Sequence, residues 1–198
     1  MLQHPAVSED NPLQLVVPSL AGLDAYADAL KRGWSPDNVR LEEAAREELA
    51  YIDADPAAFV AALDNRAPTG ETITLPDGST VPRLPGYRRW MWDEDGFCGS
   101  IGFRWQPGTA ELPAYVLGHI GYAVVPWKRG RGHATRALAL LLPEVRREGL
   151  PYVELTTDPE NLPSQKVITS NGGLLVRRFR KEAAYGGDEA LLFRIPLG

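Results

Sequence analysis

Hydrophobic positions change their spacing along this chain, and the changes mark its elements. Leu41, Ala45, Leu49 and Ile52 recur at helical intervals while Glu42, Glu43, Glu47 and Glu48 fall mostly between them, so the spacing predicts an amphipathic helix with an acidic, solvated face. Before it, Asp24 to Lys31 reads as a helix ending near Gly33, preceded by a short strand around Leu13 to Val17 and a flexible start over residues 1 to 12. After it, Asp55-Pro56 has the form of an N-cap with proline at the first helical position, opening a helix that buries Phe59 and Leu63. Alternation then replaces helical spacing. Thr72 to Leu75 and Ser79 to Val81 flank the turn Pro76-Asp77-Gly78, and Tyr87 to Trp92 pairs with Phe97 to Trp105 across Asp93-Glu94-Asp95-Gly96. Period-two alternation puts Trp90 and Trp92 on one face and Arg89 on the other, which assigns the tryptophans to core packing rather than to base stacking.

From Tyr115 the pattern runs strand, helix, strand, helix, strand, strand: Tyr115 to Val125, Ala134 to Glu148, Tyr152 to Thr156, Leu162 to Asn171, Leu174 to Arg180 and Ala190 to Ile195. This order predicts an α/β protein with a mixed sheet. Pro143, inside the first of these helices, should bend it or end it early because it lacks a backbone donor. The 198 residues suit a single domain, with a helical part and hairpin over 1–86 and a core over 87–198.

Composition narrows the function. With 44% hydrophobic and 24% charged residues and no apolar run of bilayer length, the chain reads as globular, and an N-terminus without a basic then apolar stretch makes the cytoplasm the expected location. The single cysteine, Cys98, excludes an intramolecular disulfide and a thiolate-cluster zinc site. It reads as a small buried side chain, because nothing in the sequence places a histidine beside it. A net charge of -5 disfavours a nucleic-acid reader, although Arg88, Arg89, Arg177, Arg178, Arg180 and Lys181 keep a local basic surface in play.

The chemistry concentrates in His119 to Thr135, HIGYAVVPWKRGRGHAT. A strand passes into a basic turn with glycines at 130 and 132 and then into a helix. Such a turn presents unpaired N–H groups at a helix start, where they and the helix dipole favour a phosphate. The turn lacks the lysine and Ser/Thr of a Walker A loop and the third glycine of a dinucleotide fingerprint.

Arg129-Gly130-Arg131-Gly132-His133-Ala134 matches R-x-x-G-x-A, and the chain thereby resembles the GCN5-related N-acetyltransferase (GNAT) superfamily. The likeness runs over roughly Tyr87 to Ile195 and includes GHIGYAV before the turn and TTDPENLPSQKVITSNGG after it, as in a bacterial branch of acetyltransferases. The resemblance implies an acyl-CoA N-acyltransferase fold, a mixed and mostly antiparallel sheet splayed at its centre with helices on both faces. It further implies acetyl-CoA as cosubstrate, no metal, and direct transfer of acetyl to a primary amine. Arg129, Gly130, Arg131, Gly132, His133, Ala134 and Thr135 would hold the pyrophosphate, and backbone groups of Ala123, Val124 and Val125 the pantetheine, with one N–H polarising the thioester carbonyl. Asn161 and Ser164 stand where relatives contact coenzyme A, though Asn161 could equally cap the next helix.

An amine must lose a proton before it attacks, since a lysine-like amine has a reference pKa of about 10.4. His119 occupies the position where many relatives place a glutamate base and is the candidate for that role, set against a structural histidine. Relatives place a tyrosine that protonates the departing thiolate where this chain has Ile168, so the proton would come from Tyr122, Tyr185, water or the acceptor, or no acid is needed. The expected partner is a small-molecule or peptide amine. A homodimer stays open, and neither nucleic acid nor membrane is expected. A non-catalytic acyl-CoA sensor would keep the turn and dispense with the base.

Overall fold

The computed structural model describes residues 13–198, so the stretch read as a flexible start, residues 1–12, lies outside the described residues. The N-terminal third follows the helical spacing: β1 (Gln14–Val16), α1 (Leu20–Lys31), α2 (Leu41–Ala54) and α3 (Pro56–Ala62). Asp55 caps α3 as its sequence position suggests, its Oδ1 accepting the Ala58 N–H at 2.9 Å. A two-residue strand β2 (Asp64–Asn65) and the hairpin β3 (Thr72–Thr74) with β4 (Thr80–Pro82) lead into the long hairpin β5 (Gly86–Asp93) and β6 (Gly96–Arg104). The remaining elements are β7 (Ile120–Val124), α4 (His133–Arg146), β8 (Tyr152–Thr157), α5 (Leu162–Thr169), β9 (Leu174–Arg180) and β10 (Glu189–Pro196).

The strands pair as β1-β5-β6-β7, with β2 also on β5, and as β8-β10-β9, every ladder antiparallel. Strands β7 and β8 face each other across the break between these sheets. Among the described residues they share the Leu117–Glu154 neighbourhood only: the His119 N–H donates to the Glu154 carbonyl at 2.8 Å and Thr156 Oγ1 donates to the Leu117 carbonyl. Beyond that point they diverge, which is the predicted splay. The long strand predicted over Tyr115 to Val125 is thereby corrected. Its first residues form a loop that passes over β8, because Gly118 lies so close to Leu155 and Glu154 backbone that a Cβ there would stand 3.0 Å from the Glu154 carbonyl oxygen.

Helices cover both faces of the first sheet. On one, Tyr26 of α1, Trp34 of the connection to α2 and Phe59 of α3 pack against Trp90, Phe97, Ala123 and Val125, with Tyr26 stacked on Trp90 at 5.1 Å between ring centroids. Burying such side chains stabilises the fold by roughly 1.5–3 kcal/mol each. Gly22 permits the close approach, since a Cβ there would meet Trp90 at 2.8 Å. On the other face, Ala137, Leu138, Leu141, Leu142 and Val145 of α4 meet Tyr87, Met91, Ile101 and Phe103. The alternation reading of β5 holds: Trp90 is buried on the α1 side, and Arg89 pairs with Glu144 of α4 on the other. Pro143 neither ends α4 nor stops it short. The carbonyl it would leave unpaired belongs to Ala139, an exposed residue, so water can satisfy it. No helix among the described residues is long and apolar enough to cross a membrane.

Candidate active site

The turn between β7 and α4 is built to be open. After a single 3-10 turn at Pro126–Lys128 the chain takes positive φ at Gly130 and Gly132 (77° and 79°), and α4 begins at His133. These angles are why glycine stands there. Among the described residues, no hydrogen bond engages the backbone N–H groups of Gly130, Arg131, Gly132, His133, Ala134 or Thr135; the first N–H of this region to be paired is that of Arg136, to the Gly132 carbonyl. A Cβ at either glycine would meet nothing within 4 Å. Unspent donors, open space and the positive end of a helix make a fitting cradle for a pyrophosphate. Arg129 is turned back, its Nε donating to the Val124 carbonyl at 3.2 Å.

The turn is anchored from beneath by a buried polar cluster that the sequence did not announce. Lys128 Nζ lies 2.6 Å from Asp93 Oδ1 and 3.6 Å from Cys98 Sγ, with both members of the ion pair nearly inaccessible. His133 Nε2 lies 3.5 Å from Asp93 Oδ2 and has no hydrogen-bond partner. Asp93, Cys98 and His133 together could offer three donor atoms to a metal, but the Lys128 ammonium already supplies positive charge at Asp93 and Cys98. Burial would raise the Asp93 carboxyl, yet the Lys128 and Cys98 hydrogen bonds prevail and hold it below its ordinary value. Burial pushes the Cys98 thiol up to about 12, with Asp93 adding to the rise, so it stays a thiol. The expectation that no histidine stands beside Cys98 is corrected: α4 starts against the β5–β6 hairpin and brings His133 there.

The splay exposes one edge of β7. The Val125 N–H is spent on the Cys98 carbonyl at 2.9 Å, so by alternation Ala123 also faces β6, while Tyr122 and Val124 turn their backbone groups toward the gap. There the Tyr122 carbonyl accepts from Asn38 Nδ2 at 3.0 Å and the Val124 carbonyl from Arg129. Of the residues from Ala123 to Val125, Val124 is therefore the one whose N–H points into the gap.

His119 closes the splay at its apex. It is fully buried, and its Nδ1 accepts the Glu154 N–H at 2.9 Å while its own N–H bonds back to the Glu154 carbonyl. Nε2 therefore carries the proton of the neutral ring, and it is buried without a partner at bonding distance. Burial, aided by Arg104 and opposed by Glu154 and the Ala110 carbonyl, lowers its pKa to about 4. The imidazole is thus neutral, with its lone pair engaged.

Asn161 does cap α5, accepting the Ser164 N–H on Oδ1 at 3.1 Å, which leaves its amide nitrogen uncommitted among the described contacts. Ser164 Oγ lies 2.8 Å from the Tyr122 hydroxyl, a bond that spans the gap from α5 to β7. Burial raises the Tyr122 phenol to about 12 against the Ser164 hydrogen bond. Ile168 is buried and packs against Gly173, where a Cβ would collide with it at 2.3 Å. Asn171 Nδ2 donates to the Thr135 and Val167 carbonyls at 3.1 and 2.8 Å, tying α5 to the first turn of α4.

The opposite side of β7 holds residues that the sequence reading missed. Gly102 and Gly121 are cross-strand partners, where a Cβ would stand 3.6 Å from the Tyr87 carbonyl oxygen and 3.4 Å from Arg104 Nη2. Beside them Arg88 donates to the Tyr26 hydroxyl at 2.8 Å and to Glu48 at 2.9 Å, and Tyr26 donates to the other Glu48 oxygen. Glu48 therefore leaves the acidic solvated face to which its helix position assigned it, because α2 lies across Arg88. Arg104 stands over Gly121 from the end of β6. Pairing across two helices and a strand leaves no trace in local spacing, which is why only the three-dimensional fold reveals this cluster.

Comparison with known proteins agrees with this geometry. Residues 39–173, more than half of the chain, match the family model of the acetyltransferase (GNAT) domain. A search among curated proteins returns no match. Similar solved structures include a GnaT-family acetyltransferase from Bordetella pertussis (TM-score 0.56, 19% identity, 93% of this chain and 95% of that one covered). A Salmonella typhimurium acetyltransferase that modifies the N-terminal serine of ribosomal protein L7/L12 superposes with a TM-score of 0.61 at 13% identity, covering 96% of both chains. An acetyltransferase from the same organism, yncA, with its cofactor acetyl-CoA, gives 0.58 at 13% identity over 94% of this chain and 95% of that one. At such identities these structures establish the fold, whereas the family match covers the phosphate turn, the splay and α5 together, and the chain belongs to the GNAT acetyltransferase domain family.

Proposed function

We propose that the protein transfers acetyl from acetyl-CoA directly to a primary amine, and the observation that carries this reading is the run of unspent N–H groups from Gly130 to Thr135 leading to the open edge of β7. Bound acetyl-CoA would supply an activated acyl carbon. The turn would hold its pyrophosphate, with Arg131 adding charge, Asn161 and Ser164 would flank the pantetheine, and the Val124 N–H would stabilise negative charge on the acyl oxygen. The acceptor would enter from the side of β7 on which Gly102 and Gly121 lie. His119 was the candidate base, but its engaged lone pair and depressed pKa support a different part: it holds β7 and β8 together where they begin to part. Glu48 lies on this side of β7 with both carboxylate oxygens taken up by Arg88 and Tyr26, so this cluster, too, would serve as support.

The test is thiol release from acetyl-CoA over a broad amine panel, with mass spectrometry of the acylated product. Turnover with any primary amine upholds the reading. Tight coenzyme A binding with no thiol release across the panel would instead make the protein an acyl-CoA sensor. Cytoplasmic location and bacterial origin belong to this same reading.

A further inference from the structure

The cluster beneath the phosphate turn holds more chemistry than an anchoring ion pair requires. Asp93 at the end of β5, Cys98 on β6 and His133 at the start of α4 each carry a metal-ligating atom, and these atoms lie within 4.8 Å of one another. His133 Nε2 is sealed from solvent and has no hydrogen-bond partner, although it stands 3.5 Å from Asp93 Oδ2. A buried polar atom left in that state costs stability, and in the tautomer that carries its proton on Nδ1 the free atom is a lone-pair donor. Lys128 closes the group, with Nζ 3.6 Å from Cys98 Sγ and 2.6 Å from the other Asp93 oxygen, Oδ1. The two longer separations are those of ligands around a small tetrahedral ion. Zn–N and Zn–O bonds of about 2.0–2.2 Å and a Zn–S bond of about 2.3 Å give edges of about 3.4 Å for N···O and about 3.6 Å for N···S.

We infer that this cluster binds one divalent cation of borderline softness, such as Zn2+, through Asp93 Oδ2, Cys98 Sγ, His133 Nε2 and the Lys128 amine. Binding exchanges protons for metal. The Cys98 thiol gives up the proton it now shares with the Gly96 carbonyl, the Lys128 ammonium gives up one of its own, and both pass to solvent. Before the exchange the Asp93 carboxylate and the Lys128 ammonium sum to zero charge. After it, a doubly charged cation, a carboxylate and a thiolate sum to zero again, so the ion enters without adding buried charge. The coordinated amine still has an N–H to donate to Asp93 Oδ1. With every position filled by protein the ion is structural, and it ties the β5–β6 hairpin to the turn on both sides of its glycines, at Lys128 and at His133. One carboxylate, one thiolate and two nitrogens select zinc or cobalt over the oxygen-seeking Mg2+. The site stands whether or not the protein transfers acetyl groups.

Co2+ titration of the full-length, chelator-stripped protein reads the site directly, because Cys98 is the single cysteine and a thiolate-to-cobalt charge-transfer band has no other source. That band and the strong visible bands of a tetrahedral ion should saturate at one ion per chain, vanish when Zn2+ is added and persist in a large excess of Mg2+. About two protons should be released per ion, measured by calorimetry in buffers of different ionisation heat. His133→Gln should weaken Zn2+ binding, measured by chelator competition, about 100-fold or more. If that variant does not fold, Cys98→Ser, which exchanges one atom, should show the same loss. Absence of the charge-transfer band at saturating Co2+ would overturn the inference, as would displacement by Mg2+ or a Zn2+ affinity within about threefold of the wild type in the folded variant.

Discussion

At His119 both the backbone N–H and the ring Nδ1 are spent on Glu154, and the residue is sealed from solvent; at Gly130 to Thr135, a few residues further along the same stretch, consecutive backbone N–H groups are spent on nothing. Backbone donors left unmade at the turn are tolerable because water reaches it, whereas at the apex the backbone N–H groups of His119 and Glu154 are both paired. On the proposed reading the first region is scaffold and the second is receptor. Both belong to a motif that resembles one family's signature, so motif membership alone does not tell ligand contact from support. Hydrogen-bond bookkeeping does.

The largest effect should come from closing the receptor. Gly132→Val puts a β-branched side chain at a φ of 79° and forces the turn to move its N–H groups. Coenzyme A affinity, measured by calorimetry, should fall by at least about 100-fold while the far-UV spectrum is kept. An affinity within tenfold of the wild type would show that the unspent donors are not the pyrophosphate site. Next in size is the anchor beneath. Lys128→Met strands Asp93, whose side chain is only 2% accessible, and breaking a buried pair in this way costs about 3–5 kcal/mol in urea unfolding. The double variant Lys128→Met with Asp93→Asn should recover most of that loss, and equal stability of the two variants would mean the pair does not support the turn.

The sequence displayed the receptor better than the scaffold. Arg129 to Ala134 could be read because glycines at fixed places, a basic residue between them and a helix start are all local features. The burial of Trp90 and the cap at Asp55 followed from alternation and from one dipeptide. His119 carried the right position for a base, but what decides its state is the Glu154 N–H, which arrives from a different sheet. Glu48, Arg88 and Tyr26 form one hydrogen-bonded group from two helices and a strand, and Asp93, Lys128, Cys98 and His133 gather only when α4 docks on the β5–β6 hairpin. Strand length also misled: Tyr115 to Gly118 is apolar enough for a strand, but it lies over the β8 backbone and has no free ladder to join.

If His119 is scaffold, its substitution should appear in stability before it appears in chemistry. His119→Ala leaves the Glu154 N–H unpaired and opens a void, and should cost about 2–4 kcal/mol. The pH dependence adds a signature. The folded pKa is about 4 against an ordinary value near 6.5, so between these values the unfolded chain binds more protons than the folded one. The contribution is whole above pH 6.5, is lost as pH falls toward 4, and amounts to at most about 3 kcal/mol. In His119→Ala the slope of unfolding free energy over pH 4 to 6.5 should flatten. A variant with wild-type stability but abolished transfer at every pH would return His119 to the role of base.

The smallest effect concerns the hydroxyl that stands nearest the gap. Tyr122 bonds to Ser164 across the splay, where a proton for the departing thiolate would be needed once Ile168 has taken the place of the usual tyrosine. Its phenol is raised to about 12, whereas an ordinary thiol ionises near 8.5, so proton transfer from Tyr122 to the leaving sulfur runs uphill by several kcal/mol. A thiolate of that basicity leaves without help at neutral pH. Tyr122→Phe should therefore lower kcat by less than about fivefold, where loss of a dedicated acid costs about 100-fold or more. The bond to Ser164 would be lost too, so Ser164→Ala serves as its control: equal small effects in both variants mark a contact that shapes the gap. A hundredfold loss confined to Tyr122→Phe, with the alkaline limb of the rate profile displaced, would make the tyrosine an acid, and the spent-versus-unspent rule would have missed a group whose hydrogen bond is exchanged on ligand binding.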